Sequence, residues 1–500
     1  MRVFSQAAQG TVVAQLTERT KNVRFADKSV RGLAQVGGKA ASLGYSDGVS
    51  TAKTRIDGHT VYEHWIQAPL DYFGALLNLP PSAELDYFPK TINVFAREVV
   101  RDGNEKAPRI VYFEGGPGFA APRPTTVPAW MDALLDDYRL VLLDERGTGN
   151  SYNLDSAALA AMGNAEAQAA ILTCFRQDSI VRDAEAMRAY LQDDEPWSVL
   201  GQSFGGFVAL CYLSHVPAGL REVLITGGLP STSLGPDDVY RRTYRRMIDR
   251  NRQFFARYPE DEETSWYVAT HLADVEEFVP TGERLTPERF RQLGMKLGYS
   301  WGGEALHYIL EDPVYSHRGE RRLRPSFLRA AGAALSFADH PVYAFLQEAI
   351  YAQNDAGALA YSAHRIRSEF PEFALPPSAA GGSGENDLRK SERGFFYTGE
   401  MIYPWQFEQD PALREARDAV ECLAFRTDWR DLYNRDQLAN NTVPVAAFVY
   451  YDDAYVPFEL SMRTAREVRG LQPIVTNTLQ HNGLGVAGKD VIAQLLRAVR

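Results

Sequence analysis

The sequence predicts an α/β protein with a mostly parallel central sheet and a large helical insertion. Three observations predict it. Short apolar runs alternate with helix-patterned stretches between residues 57 and 230, the sequence form of strands joined by crossover helices. Between 231 and 440 the alternation gives way to long helical patterns rich in Arg, Tyr, Phe and Glu. Strand-like runs then return between 441 and 500. A sheet that pauses and resumes is one domain, 57–230 with 441–500, carrying a helical cap at 231–440.

Residues 1–56 carry nine Lys and Arg against three Asp and Glu, with weak periodicity. They are read as a poorly ordered N-terminal extension and set aside from the fold. The segments 59–67 (HTVYEHWIQ) and 91–100 (TINVFAREVV) are β-rich and flanked by turn residues, as in a hairpin. Buried strands follow at 109–113 (RIVYF), 138–143 (YRLVLL), 197–200 and 221–226 (REVLIT). A helix is expected over 180–191, where apolar residues recur at three-to-four spacing, and another over 207–216. The glycine- and serine-rich run at 379–384 breaks the cap. Strands at 443–451 and 473–479 and a helix at 489–499 complete the chain.

Composition narrows the function. With 500 residues, 45% apolar and 23% charged, the chain can bury a sizeable core. A net charge of −11 argues against nucleic-acid binding and favours cationic ligands. Cys174, Cys211 and Cys422 are widely spaced and form no CxxC, so buried free thiols in a reducing, cytoplasmic setting are expected. No run of 18 apolar residues marks a membrane span. Ser5, Gln6, Gln9 and Gly10 interrupt any apolar core of a signal peptide. There is no HExxH, and Gly37-Gly38-Lys39-Ala40 lacks the P-loop spacing. No metal or organic cofactor is expected; oligomeric state is not legible.

Gly201-Gln202-Ser203-Phe204-Gly205 lies between an expected strand and an expected helix. That is the context of a nucleophile elbow in an α/β-hydrolase fold. Glycines flank Ser203 because side chains there would clash in the tight turn, and Gly206 lets the helix approach the sheet. A serine hydroxyl needs a base and an orienting carboxylate, in the chain order Ser, Asp, His for this fold. Of nine histidines only His481 lies beyond His364, so it is the expected base. Asp452 and Asp453 follow a strand-like run, and Asp453 stands four residues before Pro457. Asp453 is the favoured acid, with Asp452 the alternative. Gly115-Gly116-Pro117-Gly118 follows the strand at 109–113. Its Gly116 N–H, with that of Phe204, is expected to form the oxyanion hole.

The set Gly-Gly-Pro-Gly, then Asp-x-Arg-Gly-x-Gly-x-Ser at 144–151, then Gly-x-Ser-x-Gly-Gly resembles the proline iminopeptidases. The resemblance covers the core and extends into the cap at Phe396-Tyr397-Thr398-Gly399-Glu400-Met401 through Trp405. It implies a serine exopeptidase that releases an N-terminal residue, preferentially proline, from a small peptide with a free N-terminus. It also implies that Glu400, or Glu408, receives the α-ammonium group. Tyr397, Phe396 and Trp405 would line the proline pocket, and Asp144 and Arg146 would organise the nearby loop. Two positions depart from the family pattern: Glu114 replaces a histidine and Glu145 a glutamine. The other readings of the same triad are an esterase or amidase on small acyl substrates and a non-catalytic ligand receptor.

Overall fold

The apolar runs become strands buried on both faces. In the computed structural model, which describes residues 53–353, 356–375 and 394–500, Ile110 and Tyr112 join one apolar cluster while Val111 and Phe113 join another. This two-sided burial explains why the central strands read as unbroken apolar runs rather than as alternating ones. Each fully buried Val, Leu or Ile contributes about 1.5–3 kcal/mol.

The strands are β1 (Lys53–Ile56), β2 (His59–Pro69), β3 (Thr91–Arg101), β4 (Arg109–Phe113), β5 (Arg139–Asp144), β6 (Trp197–Gln202), β7 (Leu220–Thr226), β8 (Val314–His317), β9 (Glu320–Leu323), β10 (Val445–Tyr450) and β11 (Leu471–Thr476). One sheet runs in the order β1-β2-β3-β5-β4-β6-β7-β10-β11. β5, β4, β6, β7, β10 and β11 are parallel, while β1, β2 and β3 pair antiparallel at one end. β10 joins β7 from across the insertion, with Val445 opposite Val223.

Three differences from expectation have physical reasons. β1 belongs to the stretch read as a disordered extension; it is an edge strand whose KTRI sequence carries little apolar signal. The rest of that extension lies outside the described residues, as does the break at 379–384. β11 begins two residues earlier than expected, because most of its side chains are at least partly exposed and burial does not fix its ends. The cap is not wholly helical: β8 and β9 form a separate two-stranded hairpin.

The helices that place the site are α1 (Gln177–Gln192), α2 (Phe204–His215), α3 (Pro236–Arg257), α4 (Phe458–Glu467) and α5 (Gly483–Val499). α3 opens on Pro236, whose missing N–H costs nothing in a first turn. It buries Tyr240, Tyr244, Met247 and Asn251 at three-to-four spacing. α5 starts six residues earlier than expected, since its glycines read as turn, and it kinks at Ala487. Among the described residues no helix is long and apolar enough to cross a membrane, and the three cysteines are unpaired.

Arg146 and Asp183 form a fully buried ion pair at 2.6 Å. The guanidinium also donates to the carbonyls of Leu70 at 2.8 Å and Cys174 at 2.6 Å. Arg146 thus ties β5's following loop to α1 and to the chain after β2. Asp144 accepts from Arg123 and from the N–H of Ala121 and Asn150, fixing the same loop. Removing one partner strands the other charge in the interior. Arg146→Ala should therefore lose about 3–5 kcal/mol of stability, read as a lowered urea midpoint.

Candidate active site

The elbow forms as its sequence requires. Ser203 sits between β6 and α2 with φ of +53°. Side chains cannot be accommodated two residues before or two residues after it. A Cβ on Gly201 would lie 2.2 Å from the Gly205 carbonyl oxygen, and one on Gly205 would lie 2.1 Å from that of Phe113. The Ser203 N–H donates to Thr226 on β7 at 3.0 Å, which anchors the strained residue to the sheet.

His481, in the turn between β11 and α5, reaches Ser203 Oγ with Nε2 at 2.8 Å. Its Nδ1 is 2.8 Å from Asp453 Oδ2. The carboxylate can only accept, so Nδ1 carries the proton and Nε2 is left to accept from the hydroxyl. Burial pulls the imidazole pKa down, but the charge and hydrogen bond of Asp453 outweigh it, and the result lies above the ordinary histidine value. This arrangement can take a proton from Ser203 and return it to a leaving group.

The two neighbouring aspartates are separated by their partners. Asp453 Oδ1 accepts from the N–H groups of Tyr455 at 2.8 Å and Val456 at 3.1 Å. Asp452 turns away to Arg246 at 2.8 Å. The structure brings Asp453, not Asp452, to the histidine.

The glycine loop abuts the elbow: a Cβ on Gly115 would lie 3.1 Å from Ser203 Cβ. The Gly115 N–H is taken by Glu114 Oε1 at 2.8 Å. Among the described residues no protein group takes the N–H of Gly116 or of Phe204, the latter in the first turn of α2. A helix N-terminus suits a developing anion. The Tyr112 hydroxyl also donates to Glu114, at 3.1 Å, and burial raises the Glu114 carboxyl. Glu145, behind it, is buried with neither oxygen partnered, and burial holds its pKa well above the ordinary range.

The cap brings Glu400 to the triad. Burial raises its carboxyl to about 7, against the lowering pull of His481, Tyr343 and Gln347. The hydroxyl pKa values of Tyr299, Tyr343, Tyr351 and Tyr455 are raised by burial first, and also by the Glu400 charge. The other cap residues expected at the site make their contacts within the cap. Glu408 is exposed and pairs with Arg417 at 3.1 Å. Tyr397 is fully buried, shares a hydrogen bond with Ser265 at 2.7 Å and packs against Phe290 and Phe395. Phe396 packs on Phe255 and Phe373, and Trp405 stacks on Tyr403. Tyr397 and Phe396 belong to the apolar interior of the cap, where aromatic residues bury most area.

The sequence did not single out the tyrosines around Glu400. Tyr455 had a usable signal, since it lies within the Asp453–Pro457 spacing. Tyr299, Tyr343 and Tyr351 come from separate cap segments with no common pattern. Among the described residues no group of three His, Cys, Asp or Glu side chains could hold a metal ion.

Residues 108–313 match the model of the alpha/beta hydrolase fold family. The proline iminopeptidase of Aeromonas sobria is 41% identical over 447 residues, spanning 89% of this chain and 98% of that protein. The chain belongs to the proline iminopeptidase family. A second member, proline iminopeptidase aneH of Aspergillus aculeatus, is 34% identical over 419 residues, covering 81% of this chain and 88% of its own. A solved structure of a thermophilic esterase from Thermogutta terrifontis aligns at 15% identity with a TM-score of 0.36, covering 84% of this chain and 99% of its own.

Proposed function

We propose that this chain is a serine exopeptidase that releases an N-terminal residue, preferentially proline, from peptides through an acyl-enzyme. Ser203 Oγ attacks the carbonyl of the first residue while His481 takes its proton, and Asp453 holds the imidazole in the required tautomer. The N–H groups of Gly116 and Phe204 receive the charge that develops on the carbonyl oxygen. His481 then protonates the leaving amine, and water releases the acyl group by the same route. The catalytic parts come from 57–230 and 441–500, and the cap at 231–440 supplies substrate recognition. The three unpaired cysteines support a cytoplasmic setting.

The observation that carries this reading is Glu400. A carboxyl group held in a largely apolar, tyrosine-lined place beside the triad has no part in acyl transfer itself. It suits a substrate cation, because a buried ammonium needs an opposite charge. Glu400→Gln keeps the shape and removes the charge. Its KM for proline-arylamide should rise about 10- to 100-fold, the worth of a hydrogen bond between charged groups. Hydrolysis of the same compound with a blocked amine should be slow in both proteins. Equal hydrolysis of free and blocked substrates by the wild type would replace the exopeptidase reading with an amidase one.

The raised pKa fixes the sign of a pH effect. Without ligand, Glu400 is neutral well below pH 7 and charged above it. KM for the free-amine substrate should fall as pH rises from about 6 to 7, below the range near 7.7–8.0 where an α-amino group loses its proton. Glu400→Gln should abolish that slope.

A further inference from the structure

One cap segment touches both loops that carry the triad acid and base. The Tyr455 hydroxyl donates to the Met295 carbonyl. The Tyr455 ring occupies the space that a side chain on Gly298 would need, 2.1 Å from the nearest ring atom. Ser300 closes the contact: its N–H and its hydroxyl both donate to Asn482 Oδ1, each at 3.0 Å. Asn482 directly follows His481 and occupies the N-cap position of α5, yet makes no capping hydrogen bond. A residue type that ordinarily caps its own helix is spent instead on the cap domain. The backbone N–H of Ser300 can only donate, so the atom facing it is the amide oxygen. The remaining Nδ2 is buried without a partner.

Between these anchors stands Tyr299. It is 42% exposed. Its ring meets Tyr455 edge-on at 5.9 Å, and the Tyr455 ring meets His481 edge-on at 4.8 Å. Tyr299 is thus held from its next residue by Asn482 and from its flank by Tyr455, with Glu400 among the charges near its hydroxyl.

We propose that Asn482 is a positioning residue: by holding Ser300, it fixes Tyr299 as the outer wall of the subsite that receives the substrate's N-terminal residue. The inference rests on the reading of Glu400 as the ammonium partner and deepens it. The general base and the specificity wall are then set by consecutive residues, 481 and 482. Loss of the latch frees the wall without disturbing the triad hydrogen bonds, which do not involve the Asn482 side chain.

The test compares wild type, Asn482→Ala, Asn482→Asp, Ser300→Ala and Tyr299→Ala. Asn482→Ala should raise KM for proline-arylamide about tenfold, with kcat within twofold and unchanged labelling of Ser203 by a fluorophosphonate. Asn482→Asp keeps an oxygen that can accept both Ser300 bonds and should restore KM. Ser300→Ala keeps the N–H bond and should fall between, which also serves if Asn482→Ala folds poorly. In Tyr299→Ala, adding Asn482→Ala should change KM no further. An unchanged KM in Asn482→Ala, a loss confined to kcat, or additive effects with Tyr299→Ala would each overturn the proposal. Amide hydrogen exchange at Ser300 reads the latch apart from the peptidase reading. It should be slow in wild type and Asn482→Asp and fast in Asn482→Ala. A protein that is labelled at Ser203 and shows this exchange pattern, yet leaves proline-arylamide intact, refutes the exopeptidase reading and not the latch. Equal exchange in all three refutes the latch.

Discussion

Ser203→Ala should lower kcat for proline-arylamide by about 10⁶-fold. The hydroxyl is placed to form the acyl bond: it stands 2.8 Å from His481 Nε2 at the start of α2. What survives is the pull of the Gly116 and Phe204 N–H groups on a carbonyl that water must attack unaided. The fold should be untouched. Alanine accepts the +53° φ no worse than serine, and the removed oxygen bonds only the histidine among the described residues. Thermal melting within a degree or two of the wild type, beside abolished turnover, would separate lost chemistry from lost structure. Appreciable proline-arylamide hydrolysis by the variant would place the nucleophile elsewhere.

Asp453→Asn should cost about 10⁴-fold in kcat, through the tautomer rather than through any shift of atoms. Oδ1 of residue 453 is pinned by the N–H groups of Tyr455 and Val456. An asparagine keeps those bonds with its oxygen and so turns its NH₂ toward His481 Nδ1. Two donors cannot face one another, so the proton moves to Nε2 and the ring can no longer accept from Ser203. The same change removes the charge that raises the imidazole pKa. The acid limb of kcat/KM in the variant should therefore move to lower pH. Asp452→Asn breaks only the pair with Arg246 and should stay within a few-fold of wild type. Reversed effects of the two substitutions would exchange their roles.

These expectations rest on residues that the sequence already exposed, for steric and topological reasons. A strand-to-helix turn as tight as that at 201–205 admits few side chains, so it leaves a readable spacing. The order Ser, Asp, His left His481 as the histidine available beyond His364. The Asp453–Pro457 spacing favoured the aspartate that meets His481, and the loop N–H groups hold it there. The cap obeyed no comparable rule. Tyr397 and Tyr343 are both buried tyrosines, the first on an irregular segment and the second in a short helix, Pro341–Leu346. The first fills the cap interior, while the second faces Glu400. Tertiary packing alone separates them. Glu400 and Glu408 are eight positions apart, and only the fold shows that one meets the triad while the other meets Arg417 at the surface. β1 escaped because an edge strand need not be apolar.

The claim beneath all of this is that residues 203, 453 and 481 act as one unit. Labelling with a fluorophosphonate, read by mass spectrometry of the peptides, tests it most directly. A single adduct on Ser203 in the wild type, falling by orders of magnitude in His481→Gln, is the predicted result. An adduct on a different serine, or undiminished labelling of Ser203 without His481, would contradict it.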